Sequence, residues 1–276
     1  MSKIVVGVSE FVRAHPSIQW AMTFAETNGL PVELVHVVDT SWGHAPEDYI
    51  ETALLKAEEK TRDLAQLARD AHPRVEVESH VRLGSPVNEL VTASEGAQLL
   101  VLGSHPETRD SGSSRRTVRI ASLAPCSVVV APSAVIPVGE GIVVGVDGSV
   151  ESDLAVQFAA RLADAHQESL TVVLAWAHPE AWAVTEPFLF ETEPSEEDML
   201  IVAESIAGLA GSYPDLEIVT EVSASRPETA LRNVAHDARV LVVGSRGRHG
   251  LAKALLGSVS ESLVADLPCA VAVIRA

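Results

Sequence analysis

The chain has 276 residues, of which 47% are hydrophobic and only 4% aromatic, and it carries a formal net charge of −18. That length suits two domains, each large enough to bury roughly two thirds of its unfolded surface. So negative a charge argues against nonspecific binding to nucleic acid or anionic membrane, and no apolar stretch is long enough to span a bilayer.

Ile4-Val5-Val6-Gly7-Val8 reads as an opening strand rather than a signal peptide, so a cytoplasmic protein is expected. Ile50, Ala53, Leu54, Ala57, Leu64 and Ala68 keep a helical stripe. Leu99 to Gly103 reads as a strand, and Pro125-Cys126 leads into another from Ser127 to Ala131. The segment from Ala131 to Glu140, with Pro132, Pro137 and Gly139, reads as a linker. Beyond it, strands are predicted near 141–147, 169–175, 216–222, 239–244 and 269–274. Leu154, Ala155, Phe158, Leu162 and Ala165 predict a helix between the first two of these. Ser195-Glu196-Glu197-Asp198 marks another helix start, with acid in the first turn.

The chain repeats itself. Ile4 to Ser9 matches Ile142 to Asp147, Leu99 to Gly103 matches the run ending at Gly244, and Pro125-Cys126 matches Pro268-Cys269. The expected domains are therefore 1–133 and 141–276. Short Val/Ile/Leu strands alternating with helices predict an α/β fold, two tandem doubly wound, Rossmann-like domains with five-stranded parallel sheets and three α/β/α layers. Ligands of such sheets sit beyond the carboxyl ends of the strands at the switch point. Cys126 and Cys269 read as small buried hydrophobes rather than a disulfide.

The chemistry-bearing motif is Gly244-Ser245-Arg246-Gly247, then nine residues, then Gly257-Ser258, set between the apolar run Leu241-Val242-Val243 and an amphipathic segment. A strand, a glycine-rich loop and a helix start make an anion cradle, because the first helical amides lack intrahelical partners. Ser258 and Ser260 offer hydroxyl donors, and Arg246, Arg248 and Lys253 bring positive charge. Asp147, ending the first strand of its half, suits ribose hydroxyls. The pattern is neither a Walker A loop nor a dinucleotide fingerprint.

At these residues the chain resembles the universal stress protein family, over both halves. Its ATP-binding members carry Gly-x2-Gly-x9-Gly-Ser/Thr after the fourth strand, matched by Gly244, Gly247, Gly257 and Ser258, and an Asp at the end of the first, matched by Asp147. The resemblance implies that Gly145, Val146 and Asp147 line an adenosine with Val243 beneath it, and that the helix start at Ser258, Val259 and Ser260 meets phosphates. Trp176 falls at the second-strand position that packs on the adenine in the family; as a residue it reads equally as a core or rim aromatic. Ser225-Arg226-Pro227 stands where the family's third strand ends in a glycine, as at Gly84. ATP, with Mg²⁺ or Mn²⁺ on its phosphates, is the implied cofactor.

The first half departs from this pattern. Ser9 replaces the acid, and Gly103-Ser104-His105-Pro106 replaces the glycine pair. Proline lacks an N–H and fixes φ. Counted back from Pro125-Cys126, Ser114-Arg115 stands opposite Gly257-Ser258, in a loop two residues shorter. The first half is therefore expected not to bind ATP in the family manner. Ser104, Ser111, Ser113, Ser114, Arg115, Arg116 and Arg119 read either as an anion site or as a solvated polar loop.

No metal-ligand spacing, nucleophile elbow or catalytic carboxylate pair stands out, so neither catalytic nor metal residues are assigned. The leading expectation is a regulatory ATP-binding protein of stress physiology with one nucleotide per chain and a downstream signalling partner. The alternatives are a slow ATP hydrolase and a nucleotide-free interaction scaffold. Family resemblance further implies halves that pair as a pseudo-dimer through their last strands, and a possible homodimer of chains.

Overall fold

The structure is a computed structural model. It describes residues 2–9, 15–41, 43, 46–104, 112–132, 139–176, 194–248 and 256–276, with backbone alone at 112–114. The chain divides into two compact units, Met1–Ile136 and Pro137–Ala276.

The N-terminal unit runs β1 (Ile4–Val8), α1 (Pro16–Asn28), β2 (Val32–Asp39), α2 (Glu47–Ala71), β3 (Val77–Gly84), α3 (Pro86–Ala93), β4 (Leu99–Ser104), α4 (Gly112–Leu123) and β5 (Ser127–Pro132). Its strands are all parallel, in the order β3-β2-β1-β4-β5. The order reverses between β1 and β4, which makes the sheet doubly wound and opens a crevice at their carboxyl ends. Ile4, Val5, Val6, Leu100 and Val101 are wholly buried, as parallel strands covered on both faces must be. The expected strand Ser127–Ala131 is extended by Pro132, read from the sequence as linker; Ala131 and Pro132 pair with Gly103 and Ser104 of β4.

The C-terminal unit repeats the plan: β6 (Ile142–Val146), α5 (Val150–His166), β7 (Leu170–Ala175), α6 (Glu196–Ile206), α7 (Leu209–Ser212), β8 (Ile218–Ser223), α8 (Pro227–Val234), β9 (Val240–Gly244), α9 (Ser258–Asp266) and β10 (Ala270–Ile274). The order β8-β7-β6-β9-β10 is the same, again all parallel. The helix starts follow from their caps. Ser149 caps α5, its hydroxyl accepting from Ser152 N, and Ser195 with Asp198 closes a full capping box on α6.

The core face of α5 is broader than its sequence stripe. Ala155, Phe158 and Leu162 are buried as expected, with Val156, Ala159, Ala160 and Ala163 beside them, but Leu154 and Ala165 face solvent. Alanines let this helix lie close on β6, β9 and β10, so its contact face widens past a single stripe. In α2 the buried set is Ala57, Thr61, Leu64, Ala65 and Ala68, while Ile50, Ala53 and Leu54 in its first turns are only half-buried. Both cysteines are buried and outside any disulfide, and burial pushes the Cys269 thiol up to about 12.

The duplication extends to packing. A side chain on Gly7 of β1 would meet Leu90 and Leu102, and one on Gly145 of β6 would meet Leu231 and Val243. At the opposite end of the C-terminal sheet, Glu168 accepts from Arg239 Nε at 2.8 Å and from Gly141 N at 2.8 Å, tying the starts of β6 and β9 to the turn after α5. Burial works against ionisation of Glu168. The bonds from Arg239 and Gly141 and the positive charge of Arg239 outweigh it, and the carboxyl lies below its ordinary value.

Candidate functional site

The switch point of the C-terminal unit brings together the ends of β6 and β9 and the start of α9. Asp147 follows β6 and is half-buried. Its Oδ1 accepts from Ser149 N at 3.0 Å, and its Oδ2 accepts from Arg248 N at 3.1 Å. The carboxylate thus joins the turn into α5 to the loop leaving β9. Gly148 between Asp147 and Ser149 has φ +75°, a turn that a Cβ would strain. Ser149, which caps α5, also directs its hydroxyl at Arg246 O at 3.5 Å.

The three motif glycines have three different surroundings. A Cβ on Gly244 would stand 2.9 Å from Glu151 Cβ and 3.0 Å from Glu151 C, so this glycine lets the first turn of α5 approach the end of β9. A Cβ on Gly247 would stand 2.4 Å from Asp147 Oδ2, so this one leaves room for the carboxylate. Gly257, the N-cap of α9, has φ −76° and ψ 156°, open to any residue. A Cβ there would meet nothing nearer than 3.5 Å. Its N–H donates to Ser245 O at 2.8 Å, bringing the loop's two ends together.

The remaining expected residues fall into two groups. Gly145, Val146 and Val243 form the floor at the strand ends, with Val146 and Val243 buried; Ser258 is exposed and Val259 half-buried on the first turn of α9. Trp176, just past β7, is half-buried and donates its N–H to Ser223 O at 3.1 Å. Ser260 departs from expectation. It is 2% exposed, and its hydroxyl donates inward, to Gly257 O at 2.9 Å and Ser245 O at 3.2 Å. Lying two residues into α9, it faces the core side of the helix and holds the loop's return rather than offering a donor outward.

The basic residues also differ from expectation, because each has an acidic neighbour. Arg246 pairs with Glu151 at 2.7 Å, and Arg248 Nη2 donates to Glu197 at 3.2 Å. Sequence reasoning did not single out Ser149, Glu151 and Glu197 in these roles. The one available signal was local: a serine two residues after Asp147, followed by acid, is a helix N-cap. The pairings themselves span 95 residues for Glu151–Arg246 and 51 for Glu197–Arg248, beyond any local signal. Lys253 and His249 lie outside the described residues, and among those described no group of His, Cys, Asp and Glu is placed to hold a metal ion.

The N-terminal unit retains the first of the three glycines. A Cβ on Gly103 would stand 2.3 Å from His15 Cε1, a buried ring at the start of α1. Gly103 therefore accommodates the start of a helix, as Gly244 does. Pro106 lies outside the described residues.

The model of the universal stress protein family matches residues 1–132 and 140–275. Universal stress protein Rv2005c of Mycobacterium tuberculosis is 32% identical over 277 residues, covering 95% of this chain and 92% of that protein. Universal stress protein Rv2623 of the same organism is 28% identical over 287 residues, covering 94% and 92%. Among solved structures, a universal stress protein from Archaeoglobus fulgidus matches with a TM-score of 0.73 at 19% identity, over 99% of this chain and 96% of its own, a likeness of fold.

Proposed function

The chain belongs to the universal stress protein family, and from that premise we propose that its C-terminal unit binds ATP as a regulatory ligand, one nucleotide per chain. The observation that carries this reading is the unequal need for the three glycines. Gly244 and Gly247 answer to neighbours inside the fold, whereas Gly257 has an ordinary backbone and a Cβ there would make only ordinary van der Waals contact, 3.5 Å from Ser245 O. A ligand backed against the helix start supplies the missing reason: close approach of phosphate to backbone N–H groups. The N-terminal unit points the same way. It keeps Gly103, which serves packing, and carries Pro106 and Ser114 opposite Gly247 and Gly257.

In this reading the amides and hydroxyl at Ser258 and Val259 hold phosphate, Asp147 accepts from the ribose, and Gly145, Val146 and Val243 lie under the nucleoside. Trp176 borders the base. Arg246, paired with Glu151 through Nη2, shares its guanidinium between that carboxylate and phosphate. Ser260 positions the loop and is removed from the ligand set. Mg²⁺ or Mn²⁺ would accompany the phosphates, since a charge of this size is otherwise left partly unbalanced. A nucleotide held between Gly244 and Gly257 would alter the surface a partner meets.

Calorimetry with Mg·ATP on the full chain tests the reading. Saturable binding at one site, lost in Gly257→Val and kept in the matching Ser114→Val, is expected. A chain that gives no heat and no thermal shift with ATP is an interaction scaffold instead.

A further inference from the structure

The N-terminal unit has replaced neutral residues with cations at the start of its last helix. Counted from the shared Pro-Cys pairs, Arg115, Arg116 and Arg119 of α4 stand where α9 carries Ser258, Val259 and Ser262. Arg115 and Arg119 lie four residues apart, on one face of the helix. All three arginines line a cavity of about 250 Å³ with Asp39 at the end of β2, Ser41, and Ser85 before α3. Among the described residues lining it, three arginines stand with one carboxylate, in a chain of net charge −18. Asp39 also lines a neighbouring cavity of about 320 Å³, walled by Tyr49, Ala53 and Ala57 and bordered by Lys56 and Lys60.

Asp39 is an acceptor held in place. Its Oδ1 takes a bond from Ser41 Oγ at 2.6 Å and from Ser41 N at 3.0 Å, while Oδ2 stands 3.8 Å from Arg116 Nη1. The Ser41 hydroxyl bond, above all, keeps its carboxyl below the ordinary aspartate value, so it is ionised at neutral pH. An ionised carboxylate paired with Arg116, in a cavity that Arg115 and Arg119 also line, sets two requirements. The ligand must bring negative charge to the arginines, whose planar forks match phosphate oxygens. It must also bring a hydroxyl to Asp39, which repels a bare anion.

We propose that the N-terminal unit binds a small phosphorylated polyol, its phosphate on Arg115, Arg116 and Arg119 and a hydroxyl on Asp39. The site is separate from the C-terminal glycine loop and does not depend on ATP binding there. The first unit has thus exchanged an amide cradle for a side-chain one.

Glucose 6-phosphate and inorganic phosphate are the probes, titrated calorimetrically into the full chain at low ionic strength. Glucose 6-phosphate is expected to bind with one-to-one stoichiometry, at least about tenfold more weakly in R115Q/R119Q, with partial retention in R115K/R119K, which keeps charge but loses the fork. The arginines are exposed on a helix, and glutamine is as good a helix former, so the variant folds, as circular dichroism will verify. D39N should lower the preference for glucose 6-phosphate over inorganic phosphate by about tenfold. G257V should leave the affinity for glucose 6-phosphate unchanged. Absence of saturable binding, binding that survives in R115Q/R119Q, or binding lost in G257V overturns the proposal. Equal effects of D39N on the two probes overturn the role of Asp39.

Discussion

A side chain on Gly247 would stand 2.4 Å from Asp147 Oδ2, the same oxygen that accepts from Arg248 N. Loop glycine and strand-end carboxylate are therefore one steric unit. Gly247→Ala is expected to push the carboxylate aside and lose the bond from Arg248, costing about 1 kcal/mol. If Asp147 accepts from the ribose as proposed, ATP affinity should fall at least about tenfold. Equal ATP affinity in G247A and wild type, by calorimetry, would remove Asp147 from the ligand set.

Gly244 and Gly257 are expected to separate in stability. Gly244→Ala places a methyl against the backbone of Glu151, with little room to yield, and should cost about 1–3 kcal/mol in urea unfolding. Gly257→Ala meets nothing closer than 3.5 Å and should stay within about 0.5 kcal/mol of wild type. Equal losses in the two variants would contradict the division between packing glycine and ligand glycine.

In the N-terminal unit, Gly103→Ala sets a methyl 2.3 Å from the buried ring of His15 and should destabilise by about 1–3 kcal/mol. His15→Ala removes the obstacle at its own cost. The double variant should be more stable than the sum of the two single losses implies, by about 1 kcal/mol or more. Strict additivity in a double-mutant cycle would mean that the ring is not what Gly103 accommodates.

Glu168→Gln tests the clamp on Arg239 and Gly141. The folded carboxyl lies below the unfolded value near 4.5, so its contribution is fully present above pH 4.5 and is lost as pH falls through the lower folded value. The variant should be about 1–2 kcal/mol less stable at pH 7. The gap to wild type should close on acidification below pH 4.5. A gap that is the same at pH 7 and at pH 3 would assign the effect to shape rather than charge.

The fold was legible because it is written twice and in local signals. Strand cores such as Ile142–Val146 and Val240–Gly244 are short β-branched runs, and Ser195 announces α6 with a capping box. The strand expected from Ser127 to Ala131 runs one residue further, to Pro132, because a proline that reads as a linker signal needs no N–H to end a strand. At the candidate site the glycine spacing was visible, but the reason for each glycine was not. It depends on what faces it from elsewhere in the chain: Glu151, Asp147 or, at Gly257, the loop backbone at ordinary contact distance. Ser260 was misassigned because a helix start shows which residues come first, not which of them turn toward the core. Pairing of Arg246 with Glu151 and of Arg248 with Glu197 depends on tertiary distance and leaves no mark in spacing.

The matched glycines of β4 and β9 also make the chain its own control experiment. The N-terminal unit carries the very differences a mutagenesis campaign would choose: proline opposite Gly247, serine opposite Gly257, and a loop shorter by two. Its strands still keep the order and register of the other unit, and Gly7 still meets the same kind of leucine wall as Gly145. The connection between fourth strand and last helix is thus an editable segment, whose sequence can be rewritten without disturbing the sheet that carries it. The editing stops at Gly103 and Gly244, where the segment ceases to be loop and becomes framework.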